Sequence, residues 1–244
     1  MSFFEGARGQ LHYRAWPVDE APAGLVLLPG TGQHSGHYHR FARQVNGAGF
    51  RMWALDTAGH GLSEGDPERP GTLRELVADA VRLVELVRRD HPTMPLTLMG
   101  HSLGAVTALG MLGAAVPPPA DAEHSMDGTV SAGYPLVPAL DANILAGLVL
   151  CGTPRRALGG GVPGAPGTPL PERFPVLVVH GVDDRRAPMD AVRVWTSRHE
   201  SVDLRVYSDA GHDLLHEPVH ARVGADIVRW MREVVVASAG HSHR

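Results

Sequence analysis

The most informative segment of the chain is Gly-His-Ser-Leu-Gly at residues 100–104, with Ser102 at its centre. The apolar run at residues 96–99 precedes it, and a segment with helical spacing follows it. A serine on a sharp turn from strand to helix presents its hydroxyl at the end of the strand. We therefore predict that Ser102 is a nucleophile, with the N–H of Leu103 at the helix start helping to stabilise an oxyanion. The alternative is that Ser102 only caps the helix.

A serine nucleophile needs a neighbouring base, and the base needs a third group that fixes its tautomer. Asp183 and Asp184 follow the apolar run at residues 176–179, and His212 follows the run at residues 204–207. The carboxyl ends of parallel strands meet at one edge of a sheet, and the order serine, aspartate, histidine is typical of one such fold. We predict that His212 is the base, with His216 as the alternative. Asp184 is the predicted acid, and Asp183, which could instead cap the turn, is its alternative.

The elements that must position these groups alternate along the chain. Short apolar runs bounded by Gly or Pro predict strands at residues 25–28, 51–55, 96–99, 148–151, 176–179 and 204–207. Helical spacing predicts helices at residues 38–48, 72–89, 103–115, 190–199 and 218–236. This alternation predicts a single α/β domain over residues 1–244, with a mostly parallel, doubly wound sheet flanked by helices. Residues 11–15 are expected to add an edge strand.

Together these motifs resemble the α/β-hydrolase superfamily, particularly its monoacylglycerol lipase-like branch of the serine aminopeptidase S33 type. Residues 30–38, Gly-Thr-Gly-Gln-His-Ser-Gly-His-Tyr, resemble the His-Gly-x-Gly-Glu-His-Ser-x-Arg-Tyr segment of that branch. Residues 56–65 resemble its Asp-x-x-Gly-His-Gly-x-Ser-x-Gly turn, and residues 211–217 resemble its histidine segment. The resemblance implies the α/β-hydrolase fold and makes the backbone N–H of Thr31 the second oxyanion donor, beside that of Leu103. We assign structural roles to His60 and Ser63.

The chain departs from this family pattern in two places. In the first segment, Pro29 stands where the family has histidine, Gln33 where it has glutamate and His37 where it has arginine. The family's helical cap follows the strand that ends here at Cys151, but this chain has only the Gly/Pro-rich residues 153–171 there. We therefore expect a short lid instead of a full helical cap. The additional length falls at residues 116–143, an insertion before that strand.

Composition excludes several other classes of function. All 22 basic residues besides histidine are arginines, so Schiff-base chemistry and a lysine-bearing phosphate loop are excluded. Cys151 is the only cysteine, so the chain has no internal disulfide or thiolate metal cluster. The net charge of −4 does not favour a nucleic-acid partner. No apolar stretch approaches the ~20 residues of a membrane helix, and no signal peptide is recognised, so a cytoplasmic protein without stable membrane insertion is expected.

The sequence therefore predicts a serine hydrolase that cleaves a carboxylic ester-like bond through an acyl-enzyme on Ser102. No metal or cofactor is expected, and the partner is a small-molecule acyl substrate, an ester or thioester. Because the same triad serves several reactions, a thioesterase or an amidase or peptidase acting on a bulky or carrier-bound acyl group is the alternative. A non-catalytic ligand-binding protein on the same scaffold is a third reading. Such proteins usually lack a triad member, and this chain has all three.

Overall fold

The computed structural model describes residues 2–113, 140–158 and 170–241. These residues form one eight-stranded sheet with the order β1-β2-β4-β3-β5-β6-β7-β8. Its strands are β1 Ser2–Gly6, β2 Gly9–Trp16, β3 Gly24–Leu28, β4 Arg51–Leu55, β5 Leu96–His101, β6 Gly147–Cys151, β7 Val176–Gly181 and β8 Val202–Tyr207. Strands β3 to β8 are parallel, whereas β1 and β2 are antiparallel to their neighbours. The predicted mostly parallel sheet and its six apolar strands are confirmed.

Helices cover both faces of the sheet, as predicted for a doubly wound fold. They are α1 His39–Gly47, α2 Leu73–Asp90, α3 Leu103–Met111, α4 Met189–Thr196 and α5 His220–His241. Buried residues of α2, α3 and α4 share one core with alternate strand residues such as Val26 and Leu98. The intervening strand residues, such as Leu27 and Met99, share the other core with α1 and α5. Strands β3, β5, β6 and β7 are buried at every residue, which explains why their sequences are mostly apolar without alternation.

Local sequence signals account for the clearest helix. The Thr72 hydroxyl accepts a hydrogen bond from the Glu75 N–H, and the Glu75 carboxylate accepts one from the Thr72 N–H at 2.7 Å. This reciprocal capping box fixes the start of α2. None of the described helices combines the length and the apolar character that a membrane span requires.

Two predicted features of the fold are corrected. Residues 11–15 do form a strand, but β2 pairs with both β1 and β4, so the edge strand is Ser2–Gly6. The sequence does not predict this hairpin, because its two-residue turn, Ala-Arg, lacks the usual Gly or Asn and only Phe4 of β1 is buried. Helix α3 ends at Met111, before the predicted end at residue 115.

The two segments predicted as an insertion and a lid fall mostly outside the described residues. Of residues 116–143, only the last four are described, and Asp141 caps a short 3-10 turn, Ala142–Ile144. Of residues 153–171, the described part includes a 3-10 turn, Arg155–Leu158, whose Ala157 and Leu158 are buried. The predicted lid itself lies largely in residues 159–169, outside the described residues.

Candidate active site

Strand register brings the candidate residues to one edge of the sheet. His101 at the end of β5 pairs with Cys151 at the end of β6, so the residues that follow both strands are neighbours. On the other side, β5 adjoins β3 with Gly100 opposite Leu28, which places the loop after β3 beside the start of α3. The last residues of β7 and β8 pair in the same way. The turns after five strands therefore meet at this edge, as expected for carboxyl ends of parallel strands.

Ser102 lies on a strained turn between β5 and α3. Its φ of 51° and ψ of −110° are unfavourable for a residue with a side chain. The turn depends on its two glycines: a Cβ on Gly100 would lie 2.3 Å from the Gly104 carbonyl oxygen, and one on Gly104 would lie 1.9 Å from that of Leu28. The Ser102 N–H donates to the Cys151 carbonyl at 3.0 Å. These backbone contacts hold the strained serine at the strand end.

The Ser102 hydroxyl does not cap the helix that it precedes. The serine occupies the N-cap position of α3, yet its side chain makes no capping hydrogen bond. Only its backbone serves the helix, because its carbonyl oxygen accepts from the N–H groups of Ala105 and Val106. The geometry therefore does not support the capping interpretation, and no hydrogen bond to a described residue engages the Ser102 hydroxyl.

Asp184, and not Asp183, contacts the candidate base. The buried Asp184 places Oδ2 2.8 Å from Nδ1 of His212. Its Oδ1 accepts from the N–H groups of Arg186 at 2.9 Å and Ala187 at 2.8 Å. Burial raises the pKa of Asp184, but the hydrogen bonds from His212 and Ala187 outweigh it and leave the pKa below its ordinary value. Asp183 is exposed, and its side chain forms no hydrogen bond with a described residue.

Two other histidines near this site, His180 and His216, have structural contacts. His180 is fully buried, with Nε2 donating to the Ala187 carbonyl at 2.7 Å and lying 3.5 Å from the Asp184 carboxylate. It therefore braces the turn that carries Asp184. His216, the alternative base, is exposed, and its Nε2 lies 3.1 Å from the His37 carbonyl oxygen.

His212 and Ser102 both lie next to the Cys151-Gly152 segment. A Cβ on Gly152 would lie 3.2 Å from both Cε1 and Nδ1 of His212, and this glycine has a φ of +55°. His101, next to the serine, places Nε2 3.0 Å from the His212 carbonyl oxygen, and their rings are 5.1 Å apart. Burial lowers the pKa of His101 to about 4. The serine turn and the histidine turn are thus packed directly together.

The predicted oxyanion donors lie where the loop after β3 approaches the serine. A Cβ on Gly30 would be 2.8 Å from Nδ1 of His101 and 3.1 Å from the Ser102 Cβ, so a glycine lets the loop pack this closely without a shift. Within the described residues, neither the Thr31 N–H nor the Leu103 N–H has a hydrogen-bond acceptor. Two unpaired amides, each in the residue next to Gly30 or Ser102, are groups that can stabilise a developing negative charge.

Buried polar residues that the sequence did not single out hold this loop. Asp56 accepts from the Ser35 N–H at 2.6 Å and the Leu62 N–H at 3.0 Å, and its Oδ2 lies 2.8 Å from Nδ1 of His12. Burial raises the pKa of Asp56, but these hydrogen bonds outweigh it and leave the pKa below its ordinary value. The Asp56–Gly65 motif was the available signal. It pointed to a structured turn but not to His12.

The structural roles assigned to His60 and Ser63 agree with their contacts. His60 Nε2 accepts from the Gly32 N–H at 3.0 Å, while its Nδ1 faces the Ala58 carbonyl oxygen at 3.0 Å. The Ser63 hydroxyl accepts from the His12 N–H at 2.8 Å. Among the described residues, no three His, Cys, Asp or Glu side chains are grouped so that they could bind a metal ion.

Comparison with known proteins gives consistent similarities. Residues 19–152 match the family model described as serine aminopeptidase, S33. The chain is 31% identical to the monoacylglycerol lipase of Mycolicibacterium smegmatis over an alignment that covers 93% of this chain and 95% of that protein. It is 36% identical to human monoglyceride lipase over 42% of this chain and 35% of that protein. The structure of a highly thermostable carboxyl esterase from Bacillus coagulans, in complex with glycerol, is similar with a TM-score of 0.70 at 18% identity, covering 96% and 98% of the two chains.

Proposed function

The chain is a hydrolase that belongs to the serine aminopeptidase S33 family of α/β hydrolases, and we propose that it cleaves carboxylic esters through an acyl-enzyme on Ser102. The observation that carries the proposal is the 2.8 Å contact between Asp184 and His212, on a histidine packed beside the strained serine. A buried carboxylate bound to Nδ1 is the arrangement that leaves Nε2 free to accept a proton.

Acylation uses groups of this chain alone. The Ser102 oxygen attacks the ester carbonyl carbon, and its proton passes to Nε2 of His212. Asp184 stabilises the resulting imidazolium through Nδ1. The carbonyl oxygen becomes an oxyanion and accepts hydrogen bonds from the N–H groups of Leu103 and Thr31, each worth roughly 3 kcal/mol in transition-state stabilisation. The tetrahedral intermediate then breaks its bond to the alcohol oxygen, which leaves with the proton from His212.

Deacylation repeats the sequence with water. His212 removes a proton from water, the hydroxide oxygen attacks the acyl carbon, and the same two amides bind the oxyanion. Collapse breaks the bond to the Ser102 oxygen, which recovers its proton from His212, and the carboxylic acid is released. One ester and one water therefore give one acid and one alcohol, with no net change in the enzyme.

Glycerol monoesters are the substrates that we propose first. The supporting observation is the 31% identity to a monoacylglycerol lipase over nearly the whole length of both proteins. Monoacylglycerols, p-nitrophenyl esters and acyl thioesters, compared at equal acyl length, would test the substrate class. We expect the highest kcat/KM for an oxygen ester. A strong preference for thioesters would instead favour the carrier-bound alternative.

Covalent labelling by a fluorophosphonate tests the nucleophile. Wild-type protein should be labelled, and Ser102→Ala should not, because the probe phosphonylates an activated serine. Ser197→Ala is a matched control, since Ser197 is exposed at the end of α4 and its hydroxyl donates only to the Val194 carbonyl. That variant should label like the wild type. Unlabelled wild-type protein, or full labelling of Ser102→Ala, would contradict the proposal.

A further inference from the structure

The side chain of Gln33 connects three segments of the candidate site. Its Oε1 accepts from the Tyr38 hydroxyl at 2.5 Å and from the Gly30 N–H at 3.3 Å, and lies 2.7 Å from Nδ1 of His101. Its Nε2 donates to Oδ1 of Asp213 at 3.0 Å. Every polar atom of the amide thus contacts another part of the site.

These contacts adjoin the groups of the proposed mechanism. Gln33 itself lies in the loop after β3, and three of its partners each precede or follow a proposed catalytic or oxyanion residue: Gly30 precedes Thr31, His101 precedes Ser102 and Asp213 follows His212. The contact to Asp213 bridges residues 180 positions apart in the chain. One side chain therefore fixes the relative positions of the oxyanion loop, the serine turn and the histidine turn.

The chemistry of these contacts requires an amide. Glutamine offers one acceptor to the Gly30, Tyr38 and His101 side and one donor to the carboxylate of Asp213. Glutamate has the same length but no donor, so it would place two carboxylates about as close as the present 3.0 Å contact. Like charges at this separation repel each other or share a proton.

We infer that Gln33 is a positioning residue of the active site, acting through its donor–acceptor pair with Asp213. The inference rests on the proposed function of Ser102 and His212. It predicts that the pair can be reversed: a carboxylate at position 33 should be accepted when position 213 supplies the donor.

A double-mutant cycle tests the reversed pair. Gln33→Glu alone should lower kcat/KM for a p-nitrophenyl ester roughly tenfold or more. The loss should fall on kcat more than on KM, because the oxyanion contacts strengthen in the transition state. Asp213→Asn alone should stay within about threefold of the wild type, since its amide oxygen still accepts from Gln33. The double variant Gln33→Glu/Asp213→Asn should also return to within about threefold.

The matched control is Gln10→Glu on the β1–β2 hairpin. Gln10 Nε2 donates to the Glu5 carboxylate at 2.7 Å, so the change creates a similar pair of carboxylates on an exposed surface. Its kcat/KM should equal that of the wild type. If Gln33→Glu alone does not fold, Gln33→Met, which has nearly the same shape but no polar end, should show the same loss in kcat.

The double-mutant cycle and the labelling experiment test different claims, so a negative result in one can be distinguished from a negative result in the other. If the wild type is labelled by the fluorophosphonate but the double variant is no better than the product of its single effects, the inference about Gln33 is wrong and the proposed function stands. If the wild type is not labelled, the proposed function is wrong. The same cycle measured in melting temperature then shows whether positions 33 and 213 are coupled, and additive shifts overturn the inference.

Discussion

Asp184→Asn exchanges one carboxylate oxygen for an NH2 group without changing the shape of the side chain. In the structure, Oδ1 accepts from the N–H groups of Arg186 at 2.9 Å and Ala187 at 2.8 Å, while Oδ2 faces Nδ1 of His212 at 2.8 Å. These two backbone N–H groups need an acceptor, so the oxygen of the new amide occupies the position of Oδ1. Its nitrogen must face His212, which forces the ring to accept at Nδ1 and to carry its proton on Nε2. That tautomer cannot take the proton from Ser102.

The size of the effect follows from these contacts. Rotating the amide to restore the correct tautomer would leave two backbone N–H groups facing an NH2 group. Each lost hydrogen bond costs about 1 kcal/mol, and more where a buried donor is left unpaired. The wrong tautomer is therefore expected to dominate. We expect kcat to fall roughly 1,000- to 10,000-fold, equivalent to about 4–5.5 kcal/mol in activation free energy.

Steady-state hydrolysis of a p-nitrophenyl ester at about pH 8 measures this loss, with thermal unfolding as a check on folding. KM should change little, because the carboxylate does not contact the substrate. Asp183→Asn is the matched control: it removes the same charge one residue earlier, from an exposed side chain that bonds no described residue. It should retain the wild-type kcat within about twofold. An Asp184→Asn enzyme that keeps more than about a tenth of its kcat, or equal losses in both variants, would refute the assignment of the acid.

Two further predictions concern packing and pH. Gly104→Ala would place a Cβ 1.9 Å from the Leu28 carbonyl oxygen, so α3 must shift by roughly 1 Å. Because this shift misplaces the serine turn, kcat/KM for an ester should fall about 100-fold. Unchanged ester kinetics would contradict this prediction. The Asp79 carboxylate accepts from the Ala7 N–H at 2.7 Å, and burial raises the pKa of Asp79. Protonation of Asp79 therefore stabilises the folded state below the unfolded pKa of about 3.9. This stabilisation is lost as the pH rises through the folded pKa. Asp79→Asn should therefore raise the melting temperature by roughly 2–4 °C at about pH 7 and by less below about pH 4. The control Asp183→Asn, at an exposed side chain that bonds no described residue, should not raise it, and a gain that does not depend on pH would contradict the reasoning.

The central parallel strands β3 to β7 could be predicted because burial on both faces leaves a strong sequence signal. Short apolar runs between Gly and Pro matched β3 to β8 to within two residues at each end. The two edge strands lack this signal, because β1 buries only Phe4 and β8 buries only Tyr207. A strand at an edge needs few apolar residues, so its sequence resembles a loop.

The candidate site could be predicted only as far as topology determines it. Strand ends bring Ser102 and His212 to one edge, but the choice between Asp183 and Asp184 depends on which carboxylate the turn directs inward. The N–H groups of residues 186 and 187 make that choice in the structure. The pairing of His12 with Asp56 depends on the antiparallel register of β2 and β4, which no local pattern encodes.

The loop after β3 also shows why some positions of a family pattern can change independently, whereas others can change only together with a partner. Asp56 and His60 hold the loop through the backbone N–H groups of Ser35 and Gly32, so these bonds do not depend on which side chains stand at positions 29 and 37. Position 33 differs, because its side chain is itself the contact to Asp213. A glutamine in place of the family's glutamate requires an acceptor across the site, and the Asp213 carboxylate is that acceptor. Substitutions at 33 and 213 are therefore expected to be coupled, whereas those at 29 and 37 are not.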